Sequence, residues 1–137
     1  MNTGQISLLD GVSAKQPELT RALELQRRAA QVGFDWDSMP PVLAKIREEL
    51  AELEIEIARG ARLERLQDEL GDLLFAIANL ARKLNVIPEN ALRGTNDKFK
   101  RRFSAMESGL AKQGRRLQDA SLAEMDALWE QAKHDEP

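Results

Sequence analysis

Residues 42–84 read VLAKIREELAELEIEIARGARLERLQDELGDLLFAIANLARKL, and this stretch decides the fold. On a wheel of about 100° per residue, Leu43, Ile46, Leu50, Leu53 and Ile57 form one apolar stripe. Leu66, Leu70, Leu73, Ile77, Leu80 and Leu84 form a second. Gly60 stands between them where a left-handed cap is wanted, so the spacing predicts consecutive helices over 42–59 and 62–84. A connection that short forces the two helices to lie antiparallel.

Polar residues hug the edges of both stripes. Lys45, Glu49, Glu52 and Glu56 flank the first on one side, and Arg65, Glu69, Asp72 and Asn79 flank the second. Glu49 with Glu52, and Glu69 with Asp72, are spaced i, i+3, which sets each pair on one helical face. Antiparallel helices carrying such pairs gather four carboxylates around one small space, and anions share such a space only with a cation. Donors that are all oxygen select a hard ion, Mg²⁺ with Mn²⁺ as the alternative, and such ions keep positions for water and substrate phosphates. The pattern points to metal-assisted phosphate chemistry. Against it stands a plain alternative, in which EELAELEIE is a solvated face paired with Arg47 or Arg59. That alternative is retained for Glu48, Glu54 and Glu56, with Glu48 also placed to assist the site as a base. A di-iron carboxylate bundle is excluded, because it needs two core histidines and the chain has only His134. Gly71, inside ELGDLL, costs about 1 kcal/mol in a helix relative to Ala, which makes sense where another backbone or a ligand comes close.

The flanking sequence extends the helical pattern. Residues 1–16 lack periodicity and read as a mobile or loosely docked arm, ahead of a single domain over 17–137. A helix is expected from Pro17 until Gly33, then the loop FDWDSMP, in which Trp36 anchors the loop. A further helix should begin near Pro88 and run through Ser108, with Gly94 as a weak point and Gly109 and Gly114 marking the next loop. Ser121 followed by Glu124 has capping-box spacing and predicts a last helix over 122–133. No stretch alternates with strand period, so the expected class is all-α, an antiparallel bundle of four to five helices.

Within KFKRRF, Lys98 and Arg102 are spaced i, i+4 along one flank of a stripe made by Leu92, Phe99, Phe103 and Met106. They are placed to clamp phosphate oxygens, whereas Lys100 and Arg101 point elsewhere. Trp129, in EMDALWEQAK, reads either as a core plug or as a face for a nucleobase. A net charge of −3 offers no global attraction to nucleic acid or to an anionic membrane. The longest apolar run, 73–81, is interrupted by Asn79 and falls far short of the ~20 residues that span a bilayer. With no cysteine and no secretory pattern at the N-terminus, the expectation is a cytoplasmic protein without membrane or nucleic-acid partners.

KIREELAELE, LQDELGDLLFAIANLARKLNV and ALRGTNDKFKRRF, with GFDW before and LWEQAK after, closely resemble the MazG-type nucleoside triphosphate pyrophosphohydrolases. The resemblance covers residues 17–133, and EExxE followed by ExxD is its specific part. It implies an all-α fold that pairs into a homodimer, and Mg²⁺-dependent hydrolysis of NTPs or dNTPs to monophosphate and pyrophosphate. Glu49, Glu52, Glu69 and Asp72 match the family's metal ligands, Lys45, Arg65, Lys98 and Arg102 match positions on the triphosphate, and Trp129 matches the position near the base. Water would attack the α-phosphorus, with Glu48 or Glu52 accepting its proton. Family members commonly carry two such domains in tandem, and this chain looks like the second, catalytically competent one. The competing classes are a non-catalytic helical dimerisation or interaction module and a nucleotide-binding relic.

Overall fold

Helix α1, Glu18–Gln31, begins directly behind Pro17, and the chain turns away at Gly33, whose φ of 90° suits a residue without Cβ. In the computed structural model, which describes residues 6–137, α2 spans Met39–Ala58 and so starts three residues before the expected Val42. Pro40 and Pro41 fall within its first turn, where backbone amides have no intrahelical acceptor and a missing N–H removes nothing. Gly60, at φ 67°, makes the left-handed turn into α3, Leu63–Lys83.

Helix α4, Pro88–Ala111, runs straight through Gly94 and also through Gly109, which the sequence suggested would open a loop. Helix α5 is Leu122–His134. A Cβ on Gly109 would stand 3.7 Å from Leu128 Cδ2, an ordinary van der Waals distance. Between the two helices lies a 3₁₀ turn, Leu117–Asp119. The expected capping box forms: Ser121 Oγ accepts from the Glu124 amide at 3.2 Å, and the Ser121 amide donates to Glu124 Oε1 at 3.4 Å. The described residues are all-α, with no strand, and none of their helices is long and apolar enough to cross a membrane.

The chain divides into two compact units, Met1–Glu89 and Asn90–Pro137. In the first, α3 is central, with α1 and α2 both packed on it. Its buried residues are chiefly small, Ala76, Ala78 and Ala81, which lets Leu23 of α1 and Val42 of α2 reach the core. The predicted stripes are only partly closed. Leu70 is 47% and Ile77 42% exposed, and Leu50, Ile57, Leu84 and Phe75 are exposed as well. A wheel identifies an apolar face, but what covers that face depends on tertiary and quaternary packing. Part of the N-terminal arm is docked: Arg28 Nη1 donates to the Leu8 carbonyl at 3.3 Å and its guanidinium lies against Gly11. Residues 1–5 of the arm lie outside the described residues. In the second unit Met106 and Leu110 are buried, while Leu92, Phe99 and Phe103 of the expected buried stripe are exposed.

Candidate metal and nucleotide site

Glu49 on α2 and Glu69 on α3 are 6% and 5% exposed, an unusual place for carboxylates unless they are paired. Each has a cation one turn before it on its own helix. Lys45 Nζ lies 3.0 Å from Glu49 Oε1, and Arg65 Nη2 lies 3.1 Å from Glu69 Oε1. Those contacts satisfy one oxygen of each acid. Glu49 Oε2 and Glu69 Oε2 are buried without a hydrogen-bond partner in the protein. Asp72, one turn beyond Glu69, completes a group in which one oxygen from each of Glu49, Glu69 and Asp72 lies within 4.8 Å of the others.

With oxygens within 4.8 Å of one another, the three carboxylates repel each other when all are charged. The Lys45 and Arg65 side chains are 38% and 56% exposed, so water screens much of the compensation they offer. The carboxyl of Asp72 is pushed up by loss of hydration and by its neighbours Asp68 and Glu49. Glu52 is pushed up chiefly by the charge of Glu49, and Lys45 is raised chiefly by its hydrogen bond to Glu49. Two unpaired buried oxygens in an under-compensated, all-oxygen cluster fit a hard divalent cation.

Of the four expected ligands, the structure brings three into one group; Glu52 is exposed and stands outside it, close enough to feel Glu49 and Glu69. Glu48 is exposed and lies 3.4 Å from Lys45 Nζ. Glu56 sits 3.9 Å from Arg59 and 3.8 Å from Arg65, as its plain reading as an ion-pairing residue would have it. Gly71 was expected to admit another backbone or a ligand. Among the described residues no atom from outside its own helical turn lies within 4 Å of where its Cβ would be, so no second backbone approaches it there.

Beside the acids opens a cavity of about 710 Å³, lined by Lys45, Glu49 and Asp72 and also by Trp36, Phe75 and Asn79. Its rim is held by contacts that the sequence reading missed. Asp35 receives Arg82 Nη2 at 2.7 Å and Nη1 at 3.2 Å, Asn79 Oδ1 accepts from Arg82 Nε at 3.0 Å, and Lys83 Nζ donates to the Trp36 carbonyl at 2.7 Å. The Arg82 guanidinium holds the Asp35 carboxyl down at about 2. Gln26 was missed too, although a glutamine in the apolar register of α1, three residues after Leu23, was a readable signal.

In the second unit, Arg102 grips Glu136 through Nε and Nη2, both at 2.9 Å, and its guanidinium lies 5.3 Å from the Trp129 ring centroid. Phe99 packs on the same tryptophan, ring centroids 5.3 Å apart. Lys98 is half-buried and helps to lower the Glu136 carboxyl, after Arg102 and Arg101.

The segment carrying the three grouped acids is recognisable beyond this chain. Residues 38–106, half of the sequence, match the MazG nucleotide pyrophosphohydrolase domain. The chain belongs to the MazG family. The nucleoside triphosphate pyrophosphohydrolase of Escherichia coli strain K12 is 42% identical over 134 residues, covering 96% of this chain and 51% of that protein. The nucleoside triphosphate pyrophosphohydrolase/pyrophosphatase MazG of Thermotoga maritima is 46% identical over 117 residues, covering 85% of this chain and 44% of that protein. The uncharacterized protein YabN of Bacillus subtilis is 44% identical over 135 residues, which is 28% of its length. This MazG chain thus spans about half the length of the first of these relatives.

Proposed function

We propose that this MazG domain hydrolyses nucleoside triphosphates, ribo or deoxy, to the monophosphate and pyrophosphate, with water attacking the α-phosphorus. The observation that carries the proposal is the group of Glu49, Glu69 and Asp72, with an unpaired buried oxygen on each glutamate, inside the segment that matches the family. Those three residues would hold Mg²⁺, with Mn²⁺ as the alternative and Glu52 as a further carboxylate at the edge. When bound, the ion would neutralise phosphate charge and polarise the reacting phosphoryl group. Lys45 and Arg65, already beside the acids, supply positive charge to the triphosphate. Glu52, raised by its neighbours and exposed, is suited to take the proton of the attacking water, with Glu48 next to it in sequence as the other candidate. Phosphate contacts are also proposed for Lys98 and Arg102; for Arg102 that requires exchanging the Glu136 carboxylate for phosphate oxygens. Trp129, half-buried against Phe99 and Arg102, is proposed to lie near the base.

The exposed leucines and isoleucine of α2 and α3 support a homodimer, since a helical face with Leu70, Leu74 and Ile77 open is stabilised by a second copy. Ile77→Glu should then shift the chain to monomer in analytical ultracentrifugation, and an unchanged sedimentation coefficient would remove this face from the interface. The same face would serve a non-catalytic interaction module, so the deciding assay is chemical. Purified chain incubated with mixed NTPs and Mg²⁺ should release NMP and pyrophosphate; release of NDP and phosphate, or no turnover, rejects the proposal.

A further inference from the structure

Residues 6–12, part of the arm that carries no helical period, fold into a turn of their own. The Ser7 amide donates to Asp10 Oδ2 at 2.8 Å, the Asp10 amide to the Ser7 carbonyl at 3.1 Å and the Val12 amide to the Leu9 carbonyl at 3.0 Å, so the segment holds its shape by bonds among its own residues. One side chain of the body fastens it. Arg28 of α1 donates Nη1 to the Leu8 carbonyl at 3.3 Å, and its guanidinium lies so close to Gly11 that a Cβ there would stand 2.6 Å from Nη1. Among the described residues no other hydrogen bond ties 6–12 to the rest of the first unit. The stretch that follows is anchored separately: Gln16 Nε2 donates to the Ser13 carbonyl at 2.9 Å and to Glu24 Oε2 of α1 at 3.0 Å. A segment with internal bonds, one clasp and a fixed base opens as a unit at low cost.

The place of the segment gives that opening a consequence. Leu9, although 39% exposed, lines the same cavity as Lys45, Glu49 and Asp72. Release of the clasp takes Leu9 out of the wall and widens the cavity beside the acids. We propose that residues 6–12 are a strap that retains the substrate, with Arg28 as the positioning residue that seats Leu9 in the cavity wall. The inference rests on the pyrophosphohydrolase reading for the identity of the ligand, a nucleoside triphosphate with Mg²⁺. Gly11 supports the clasp independently. Its φ lies outside the left-handed region that requires glycine, so the missing Cβ serves the guanidinium lying against it rather than the turn. The clasp is also weak in the way a strap needs, because a single hydrogen bond between exposed groups opens within the time of a turnover.

In hydrogen exchange read by mass spectrometry, the peptide covering 6–12 of the unsubstituted protein should exchange at least about threefold more slowly with saturating α,β-imido-ATP and Mg²⁺ than with Mg²⁺ alone. An unchanged rate overturns the strap. Arg28→Met keeps the apolar stem and the helix propensity; it should abolish the protection and raise KM for ATP about fivefold with kcat within about twofold, as expected for loss of one partly exposed apolar wall. Gly11→Ala leaves Arg28 and every lining residue in place while pushing the guanidinium aside, and should give the same split between KM and kcat. Wild-type KM in both variants, or a fall in kcat at constant KM, overturns the role of Arg28. The exchange measurement needs no substitution, so it decides even where a variant is destabilised. Failure of the wild type to release pyrophosphate while α,β-imido-ATP still protects 6–12 rejects the reaction and keeps the strap, whereas turnover without protection rejects the strap and keeps the reaction.

Discussion

Replacing Glu69 by Gln should abolish most of the stabilisation that Mg²⁺ gives the wild-type protein. The substitution preserves shape, so it opens no cavity beside Ala76 and leaves an amide oxygen near Arg65; what disappears is one of three grouped negative charges. Before metal is added, the variant loses its attraction to Arg65, worth at most about 1 kcal/mol because that side chain is 56% exposed. It also escapes repulsion from Glu49 and Asp72, whose oxygens lie within 4.8 Å of its own. Its metal-free Tm should therefore match or exceed that of wild type. With Mg²⁺ at a hundred times its Kd, mass action stabilises the wild type by about 2.7 kcal/mol. For a chain of this length each kcal/mol moves Tm by roughly 4 °C, so the wild type should gain about 10 °C. The assay is thermal melting followed at 222 nm across an Mg²⁺ titration, with ionic strength held constant by NaCl. Equal gains in the two proteins would refute metal binding at this group, and so would a wild type that ignores Mg²⁺ while retaining activity.

Asp72→Asn should reduce pyrophosphate release by at least about a hundredfold, the scale of removing one electrostatic catalytic group, with helicity kept; full activity would remove the acids from the mechanism. Asp35→Asn tests the latch on Arg82. The folded carboxyl is depressed from 3.8 to about 2, so its stabilisation, at most about 2 kcal/mol, is complete above the unfolded value and is lost as pH falls through the folded one. Wild type and variant should differ in urea unfolding at pH 7 and converge between pH 4 and 2, and a gap independent of pH would contradict the assignment. Gly94→Ala should stabilise the protein by up to about 1 kcal/mol, because Gly94 lies inside α4 with nothing within 4 Å of a new Cβ. A lower Tm would mean that something outside this chain packs there.

Helix boundaries were readable where a residue acts through its own backbone. Gly33 and Gly60 turn the chain and Ser121 caps α5, because these effects are local. Gly109 misled because a glycine inside a helix costs only about 1 kcal/mol, which the rest of α4 absorbs. The acids at Glu49, Glu69 and Asp72 were legible because an i, i+3 pair and a short loop constrain geometry across two helices. Glu52 shows the reach of that argument. Sharing a face with Glu49 places it near the group, while the crossing of α2 and α3 decides which oxygens converge. The cavity was not legible, since Gln26, Trp36 and Asn79 come from two helices and a loop whose mutual rotation no wheel supplies.

Burial in the first unit is inverted relative to what stability alone would favour. Glu49 and Glu69 are 6% and 5% exposed while Leu74 is 54% exposed, although exchanging buried charge for apolar side chains commonly stabilises a fold. The inversion has a direct physical source in α2 and α3: each acid flanks its stripe on the side that faces the neighbouring helix, and part of each stripe is turned outward. An arrangement that withholds carboxylates from water and presents leucine to it would be stabilised by the occupants proposed above. A cation would satisfy the first need at the grouped acids, and a second copy would satisfy the second through Leu70, Leu74 and Ile77. The two needs are separable, because the metal group and the open leucines are different atoms of the same two helices, so Glu69→Gln should change the response to Mg²⁺ and leave self-association intact.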